Sequence, residues 1–185
     1  MSKGKLFVIS GASGVGKSTV LKQVMATRND LVFSVSATTR PPRAGEVDGV
    51  HYHFITREAF EEMIQRGEFL EYDEHNATLY GTLYSAVHDA MEKGNVILDV
   101  EPRGAMNVRR AHPDATLIFI LPPSWEELEH RLCGRGDTSA DQIKLRLERA
   151  KWEIEQAPQY DYQVINDQVE TCVEKILKII ADKAD

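Results

Sequence analysis

The sequence contains few cysteines and has no net positive charge, and each of these features excludes some classes of protein. Only two of the 185 residues are cysteines, Cys133 and Cys172, and they lie far apart and outside any CxxC pair. Two such thiols favour a reducing compartment over a disulfide framework or a cysteine-based metal site. The formal net charge of −7 argues against a general nucleic-acid or membrane-surface binder, because those proteins attract polyanions through basic surfaces.

Long apolar runs, internal repeats and low-complexity linkers are also missing. No run approaches the roughly 20 apolar residues that a membrane-spanning helix needs. The segment Met1–Lys5 is too short and too polar for a signal peptide. We therefore expect a cytoplasmic protein without membrane or nucleic-acid partners. The length suits a single domain, and 42% apolar residues are enough for a buried core.

Segments typical of strands and of helices alternate along most of the chain. The predicted strands are Leu6–Ser10, Val96–Val100, Thr116–Leu121 and Tyr162–Asn166. The predicted helices are Lys17–Thr27, a segment around Gly104–Ala111, Ser124–Arg131, Ser139–Gln156 and Val169–Ala181. Because strands that alternate with helices form parallel sheets covered on both faces, we predict an α/β fold.

The stretch from about Val32 to Leu83 does not follow this alternation. It contains short alternating runs at Phe33–Ala37, Tyr52–Ile55 and Phe69–Tyr72 around one predicted helix, Arg57–Arg66. We interpret it as a small, mixed and mostly antiparallel insert. The predicted division of the single domain is a core of residues 1–32, 84–123 and 158–185, an insert of residues 33–83, and a helical lid with its flanking helices at 124–157.

The clearest motif is Gly11–Ser18, which reads GASGVGKS and fits GxxxxGK[ST] at every fixed position. Its glycines let the backbone N–H groups wrap around phosphates, Lys17 can reach the β- and γ-phosphates, and Ser18 offers a hydroxyl to Mg²⁺. An apolar strand before it and a helix after it complete the P-loop NTPase-type context. GTPases, motor ATPases and small kinases all share this loop. The residues predicted to bind the donor phosphates are Gly11, Ala12, Ser13, Gly14, Val15, Gly16, Lys17, Ser18 and Thr19.

Two further patterns are suggestive, although each has a simpler alternative. Arg40 and Arg43 lie three residues apart beside hydroxyl side chains, so they could clamp a phosphate or could form an exposed basic turn. Asp99 closes a buried apolar run and could bind Mg²⁺ through water or act as a strand-end cap alone. His51 and His53 share one face of a strand, but no third ligand follows at a suitable spacing, so a metal site is rejected.

With these residues in view, the chain resembles the guanylate kinase family. The resemblance begins with Thr38-Thr39-Arg40 and then includes Arg43, Glu46, Gly49, Tyr52 and Phe54. It continues in the family's order through Glu68–Glu71, Tyr80–Thr82, Val96–Asp99, Ile118–Pro123, Gly134–Gly136 and Val164–Asp167, so it spans about Leu6 to Ile180. It implies direct in-line phosphoryl transfer from MgATP to GMP, giving ADP and GDP, with dGMP as a further acceptor.

The resemblance also implies roles for individual residues. The GMP-binding set would be Ser36, Arg40, Arg43, Tyr52, Glu71, Tyr80, Thr82 and Asp99. Glu71 would read guanine, because a carboxylate can accept from both N1–H and the 2-amino group; without this context it would be interpreted as a solvated strand carboxylate. Ser18 and Asp99 would hold Mg²⁺ through water. Arg135 and Arg146 would close over the ATP phosphates and act in catalysis with Lys17 and Arg40. Asn166 would lie beside adenine, or form a strand-end turn.

Some positions depart from the family pattern. Pro102-Arg103-Gly104 places a cation where the family usually has Gln, and Arg103 is expected to pair with Glu101 or add a phosphate contact. Glu101 itself is expected to orient Arg43 or the metal's surroundings. Arg149 matches no family position, so a solvated helix face is predicted for it. Two rival functions remain: a related small kinase with another phosphate-bearing acceptor, and a non-catalytic guanylate-kinase-like interaction module.

Overall fold

The computed structural model describes residues 4–75, 77–133 and 140–184. Its strands are β1 (Leu6–Gly11), β2 (Leu31–Phe33), β3 (Ala37–Thr38), β4 (His53–Phe54), β5 (Phe69–His75), β6 (Thr78–Leu83), β7 (Asn95–Asp99), β8 (Thr116–Leu121) and β9 (Tyr162–Ile165). Its helices are α1 (Lys17–Thr27), α2 (Arg57–Gln65), α3 (Tyr84–Met91), α4 (Pro102–Ala111), α5 (Trp125–Cys133), α6 (Ala140–Glu155) and α7 (Val169–Ala184). Within these ranges no helix is both long and apolar enough to cross a membrane.

A five-stranded parallel sheet in the order β2-β7-β1-β8-β9 forms the centre of the molecule. The side chains of β1 alternate between its two faces, as the pleat of a strand requires. Phe7 and Ile9 pack in one core cluster with residues of α1, α5 and α7. Leu6 and Val8 pack in a second cluster with residues of α3 and α4. Helices therefore cover both faces, and the predicted α/β fold class is confirmed.

A second, four-stranded sheet has the order β4-β3-β6-β5. Its β3–β6 and β5–β6 pairs are antiparallel and its β3–β4 pair is parallel, so the sheet is mixed, as predicted. Helix α2 packs on it through Phe60, whose ring stacks on Phe69 at a centroid distance of 4.2 Å. The buried cluster of this sheet also includes Ala37 and Leu79, and it is much smaller than the two clusters of the parallel sheet.

The structure corrects the predicted strand Phe33–Ala37. Phe33 ends β2, which pairs with β7 in the parallel sheet, whereas Ala37 begins the separate strand β3 of the mixed sheet. Strand β6 and helix α3 were not predicted. Strand β6 reads TLYGTL, with a glycine inside it, and α3 has only eight residues, so neither segment has a strong pattern of its own.

Candidate active site

The phosphate loop joins β1 to α1 at the carboxyl edge of the parallel sheet, where ligands bind in open α/β folds. Gly14 and Gly16 have φ of 84° and 91°, in the left-handed region where a side chain would be strained. Ala12 and Val15 are buried and attach the loop to the core. The loop ends with exposed residues, namely Gly16, Ser18 and Thr19. The inner side of the loop is therefore packed against the core, and its outer side faces solvent.

Side chains from distant parts of the chain hold the loop backbone in place. The Asn166 amide donates a hydrogen bond to the Val15 carbonyl at 2.7 Å. The Ser13 N–H donates to Glu153 Oε2, also at 2.7 Å, and Glu153 is only 1% exposed. Asn166 Oδ1 is buried and has no hydrogen-bond partner within the described ranges. The resemblance linked Asn166 to adenine; the contact observed here is with the loop itself.

Lys17 forms an ion pair with Asp99, which ends β7 beside the loop. Burial lowers the pKa of Lys17, but the carboxylates of Asp99 and Glu101 outweigh burial and raise it above its usual value. Lys17 is therefore charged at neutral pH. The loop carries a fixed positive charge at the position where the motif requires one.

The oxygen donors beside the loop fit Mg²⁺. Ser18 supplies a hydroxyl and Asp99 a carboxylate, and Mg²⁺ commonly takes one or two such ligands together with waters and substrate phosphates. Among the described residues there is no group of three or more His, Cys, Asp or Glu side chains placed to hold a metal. His51 Nδ1 instead accepts a hydrogen bond from the Val47 N–H at 3.0 Å.

A cavity of about 250 Å³ lies between the loop and the mixed sheet. The phosphate-loop side contributes Lys17, Asp99, Val100, Glu101 and Arg149, and the other side contributes Ser36, Tyr52, Glu71, Asp73, Tyr80 and Gly81. Five residues predicted to bind GMP from the mixed-sheet region or its flanks thus lie close together. Ser36, Tyr52, Glu71 and Tyr80 line the cavity, and Thr82 is hydrogen-bonded to Glu71. Asp73 was not predicted; it could have been found from its position two residues after Glu71, on the same face of β5.

Glu71 is the buried acid of this cavity, at 7% exposure. Its Oε1 accepts a hydrogen bond from the Thr82 hydroxyl at 2.6 Å, and the Ser36 hydroxyl lies 3.5 Å from that of Thr82. Burial raises the pKa of Glu71 to about 7, against the effect of the Thr82 hydrogen bond, and the negative charge of Asp73 adds to the rise. A ligand that donates hydrogen bonds to this carboxylate would favour its ionised form.

Helix α4 approaches Glu71 so closely that Gly104 is needed at the contact. A Cβ at this position would lie 3.0 Å from the Glu71 carboxyl carbon, closer than side chains normally pack. The sequence patterns gave no role to this glycine, because the contact joins segments more than thirty residues apart. Gly104 therefore helps to set where the Glu71 carboxylate sits.

A wider cleft of about 970 Å³ lies along the phosphate loop. It is lined by Gly11–Thr19 and by several cations, which are Arg40, Arg43, Arg146 and Arg149. Arg146 extends from α6, whereas Arg135 lies outside the described residues. The cleft combines an anion-binding loop with concentrated positive charge, in a chain whose overall charge is negative.

Arg40 is ordered by a partner that the predicted site did not include. Glu46 accepts two hydrogen bonds from its guanidinium, at 2.6 and 2.7 Å, and the guanidinium lies 5.1 Å from the centroid of the Tyr52 ring. The hydrogen bonds from Arg40 lower the pKa of Glu46 to about 2. Arg40 Nε is buried and has no hydrogen-bond partner among the described residues, while Arg43 is exposed. Glu46 belongs to the motif on which the family resemblance rests, so the sequence did contain a signal that could have placed it in the site.

The expectation for Arg149 is wrong, and of the two alternatives for Arg103 the pairing with Glu101 is not observed. Arg149 does not lie on a solvated helix face: it forms ion pairs with Glu153 and Glu101 and lines both cavities. Arg103 does not pair with Glu101; it lies over the ring of Trp152, 5.3 Å from the centroid. Both differences arise because side chains of α6 reach Glu101 and Arg103, which are distant in the sequence.

The fold and the site define a P-loop α/β phosphotransferase of the small-kinase class. A family model described as guanylate kinase matches residues 3–183. A guanylate kinase of Thermus thermophilus is 50% identical over 96% of this chain and 81% of its own length, and one of Nostoc is 48% identical over 94% and 87%. The crystal structure of guanylate kinase from Anaplasma phagocytophilum superposes with a TM-score of 0.80 at 30% identity, covering 100% of this chain and 88% of that one. The chain belongs to the guanylate kinase family, so the resemblance is confirmed.

Proposed function

We propose that this protein transfers the terminal phosphoryl group of MgATP to GMP, giving ADP and GDP, and accepts dGMP as well. One observation carries the proposal: the small cavity is lined at once by Lys17 of the phosphate loop and by the buried carboxylate of Glu71. A donor-binding loop and a group suited to guanine thus face the same space. Family membership supports the same reaction.

At the base end of the acceptor, Glu71 is proposed to accept hydrogen bonds from guanine N1–H and the 2-amino group. Thr82 and Ser36 would complete the base-binding surface with their hydroxyls. Adenine lacks this pair of donors, so the carboxylate would be left buried and unsatisfied. Sites built on such hydrogen bonds reject analogues that lack them by up to about 10⁴–10⁵-fold.

At the phosphate end of the acceptor, Arg40, Arg43, Tyr52 and Tyr80 are proposed to bind the GMP phosphate. Arg40 is held by Glu46, and its buried Nε–H has no partner in the part of the chain that the structure describes; Arg43 is exposed on the same cleft. Arginine forks match the geometry of phosphate oxygens. Because Glu46 already orders Arg40, less conformational entropy is lost when the phosphate binds.

Catalysis in this proposal consists of positioning and charge stabilisation. The acceptor phosphate is largely dianionic near neutral pH, so no strong general base is needed. Lys17 remains charged and would contact the donor phosphates during the transfer. Asn166 and Glu153 hold the loop backbone in its conformation through hydrogen bonds. Mg²⁺, held by Ser18 and Asp99 through water, would neutralise phosphate charge. Arg135 and Arg146 are proposed to approach the ATP phosphates as the lid closes, which would also exclude water.

The reaction is tested by measuring ADP release from MgATP with a panel of acceptors: GMP, dGMP, IMP, AMP, CMP, UMP and ribose 5-phosphate. We expect turnover with GMP and dGMP, weak turnover with IMP, and almost none with the others. Lack of turnover with every acceptor, together with retained GMP binding in calorimetry, would support the non-catalytic interaction module instead. Preference for another acceptor would support the related small kinase.

We also propose a cytoplasmic location. Support comes from the cysteines: Cys133 and Cys172 are both free thiols, and Cys172 is buried in the core, where a small hydrophobic side chain packs well. Fractionation of cells that express the tagged protein tests this, and recovery with the membrane pellet would contradict it.

A further inference from the structure

The boundary between the two cavities is formed by four side chains that line both of them. They are Lys17, Tyr80, Glu101 and Arg149. The wide cleft contains the phosphate loop and the small cavity contains Glu71, so this boundary lies where donor and acceptor meet. Reacting atoms must approach to about 3–3.5 Å for the transfer. Of the four, Lys17 and Arg149 are the cations.

Arg149 is anchored at the boundary through its Nε. The Nε–H donates to Glu153 Oε1 at 2.8 Å, and the other oxygen of the same carboxylate accepts the Ser13 N–H of the phosphate loop. Glu153 is almost fully buried, whereas Arg149 is 25% exposed. Burial lowers the pKa of Arg149, but Glu153 and Glu101 outweigh it, so the guanidinium is charged. A fixed cation is thereby attached to the loop that holds the donor.

A second ion pair of the guanidinium, with Glu101, is longer than the one with Glu153. Arg149 Nη2 lies 3.4 Å from Glu101 Oε2, and the Glu101 side chain is 44% exposed. This ion pair is longer and wetter than the one with Glu153, so it contributes little stability and can exchange. A phosphate oxygen at the boundary would offer Nη2 a stronger, charge-assisted hydrogen bond than this distance allows.

We propose that Arg149 is a catalytic arginine of the phosphoryl transfer. Its Nη2 leaves Glu101 and contacts the oxygens of the moving phosphoryl group, while Glu153 keeps its Nε in place. In that step the bond from the terminal phosphorus of ATP to its bridging oxygen breaks as a bond to a GMP phosphate oxygen forms. Arg149 donates hydrogen bonds to the developing charge and gives up no proton. The inference rests on the proposed ATP:GMP reaction.

The kinetic test compares Arg149→Lys and Arg149→Ala with Lys151→Ala, an exposed cation two residues further along α6 that lines neither cavity. We expect Arg149→Ala to lower kcat about 10²-fold, the typical effect of removing one preorganised donor. The KM values for ATP and GMP should stay within about threefold, because the contact is made mainly in the transition state. Lys151→Ala should match the wild type.

Two further measurements separate catalysis from simple bracing of the loop. Lysine keeps a cation beside Glu153 but lacks the planar fork, so Arg149→Lys should remain about 10-fold or more impaired in kcat with an unchanged melting temperature. Guanidinium ion added to the assay should restore part of the activity of Arg149→Ala. Full recovery in Arg149→Lys, or losses that follow a lowered melting temperature and a raised KM for ATP, would overturn the proposal in favour of bracing.

A binding experiment gives a readout independent of turnover. Aluminium fluoride together with ADP and GMP mimics the transition state of phosphoryl transfer. The wild type should therefore bind GMP more tightly when ADP and aluminium fluoride are both present. Arg149→Lys should lose most of this gain while binding ADP and GMP separately as before. A gain that persists in the variant would contradict the role of Arg149. If the wild type shows neither turnover nor gain, the proposed function itself fails.

Discussion

The donor and acceptor sides of the cleft are built in different ways. The phosphate loop follows β1, whose residues are all buried, and it is fixed to the core through Ala12 and Val15. The acceptor side stands on the mixed sheet, where β3 and β4 have only two residues each and the buried cluster is small. In the proposed function, the backbone of the loop presents the donor phosphates, whereas individual side chains on the smaller mixed sheet select the acceptor.

This difference has a consequence for tolerance to substitution. The motif is expected to bind phosphates mainly through backbone N–H groups, so the buried side chain of Ala12 is needed only for packing. On the acceptor side, the proposed specificity depends on the position and charge of one carboxylate, Glu71. We therefore expect changes on the donor side to affect every acceptor equally, and changes on the acceptor side to weaken the use of GMP and dGMP while leaving ATP binding unchanged.

The largest effect is expected for Lys17→Ala. The variant removes the cation that is proposed to contact the donor phosphates, and it removes the ion-pair partner of Asp99. The value of kcat/KM should therefore fall about 10³-fold for GMP and dGMP alike. The measurement is steady-state ADP release. Lys22→Ala, an exposed lysine on the same helix, is the matched control and should be unaffected. A loss confined to one acceptor would contradict the assignment of Lys17 to the donor.

Glu71→Gln should lower kcat/KM for GMP about 10²-fold. One carboxylate oxygen is replaced by an amide NH₂ group, which donates and does not accept, so one of the two charge-assisted hydrogen bonds from guanine is lost. The KM for ATP should change little. Glu74→Gln provides the control, since Glu74 lies on the same strand but is exposed and pairs with Arg57. Equal losses toward ATP and GMP would show that Glu71 does not read the base.

Gly104→Ala tests the contact behind Glu71. The added Cβ would press on the Glu71 carboxylate, so KM for GMP should rise about tenfold, as misplacement of a binding group weakens a positioned contact. Alanine favours the helix, so the melting temperature should not fall by much. Combined with Glu71→Gln, the glycine change should add little more loss. Additive losses would mean that Gly104 acts elsewhere.

The smallest effect concerns pH. Because GMP is proposed to bind the ionised form of Glu71, and burial raises its pKa to about 7, kcat/KM for GMP should fall as the pH is lowered through this value. Between about pH 8 and about pH 6.5 the ionised fraction falls about fourfold. Glu71→Gln should lose this step and retain only the titration of the GMP phosphate. An identical profile in the variant would rule out Glu71 as its source.

Sequence reasoning found most of the fold because the parallel sheet is built from strongly patterned segments. The strands β1, β7, β8 and β9 are apolar runs with helices between them, and each was predicted within about two residues of its observed ends. The segment Thr78–Met91, which forms β6 and α3, was missed because its pattern is weak and its structure depends on pairing with β5 and packing on β7. Tertiary contacts decided the conformation of such short segments.

The sequence by itself determined the phosphate loop, because all of its functional groups lie within nine consecutive residues and their spacing sets the local geometry. It also placed the chain in its family. Only the tertiary structure brought together Gly104 with Glu71, Arg149 with Glu101, and Glu153 with the Ser13 N–H. Most of these contacts join segments far apart in the chain, so neither periodicity nor spacing could reveal them. The charge that we propose for the phosphoryl-transfer step depends on that packing.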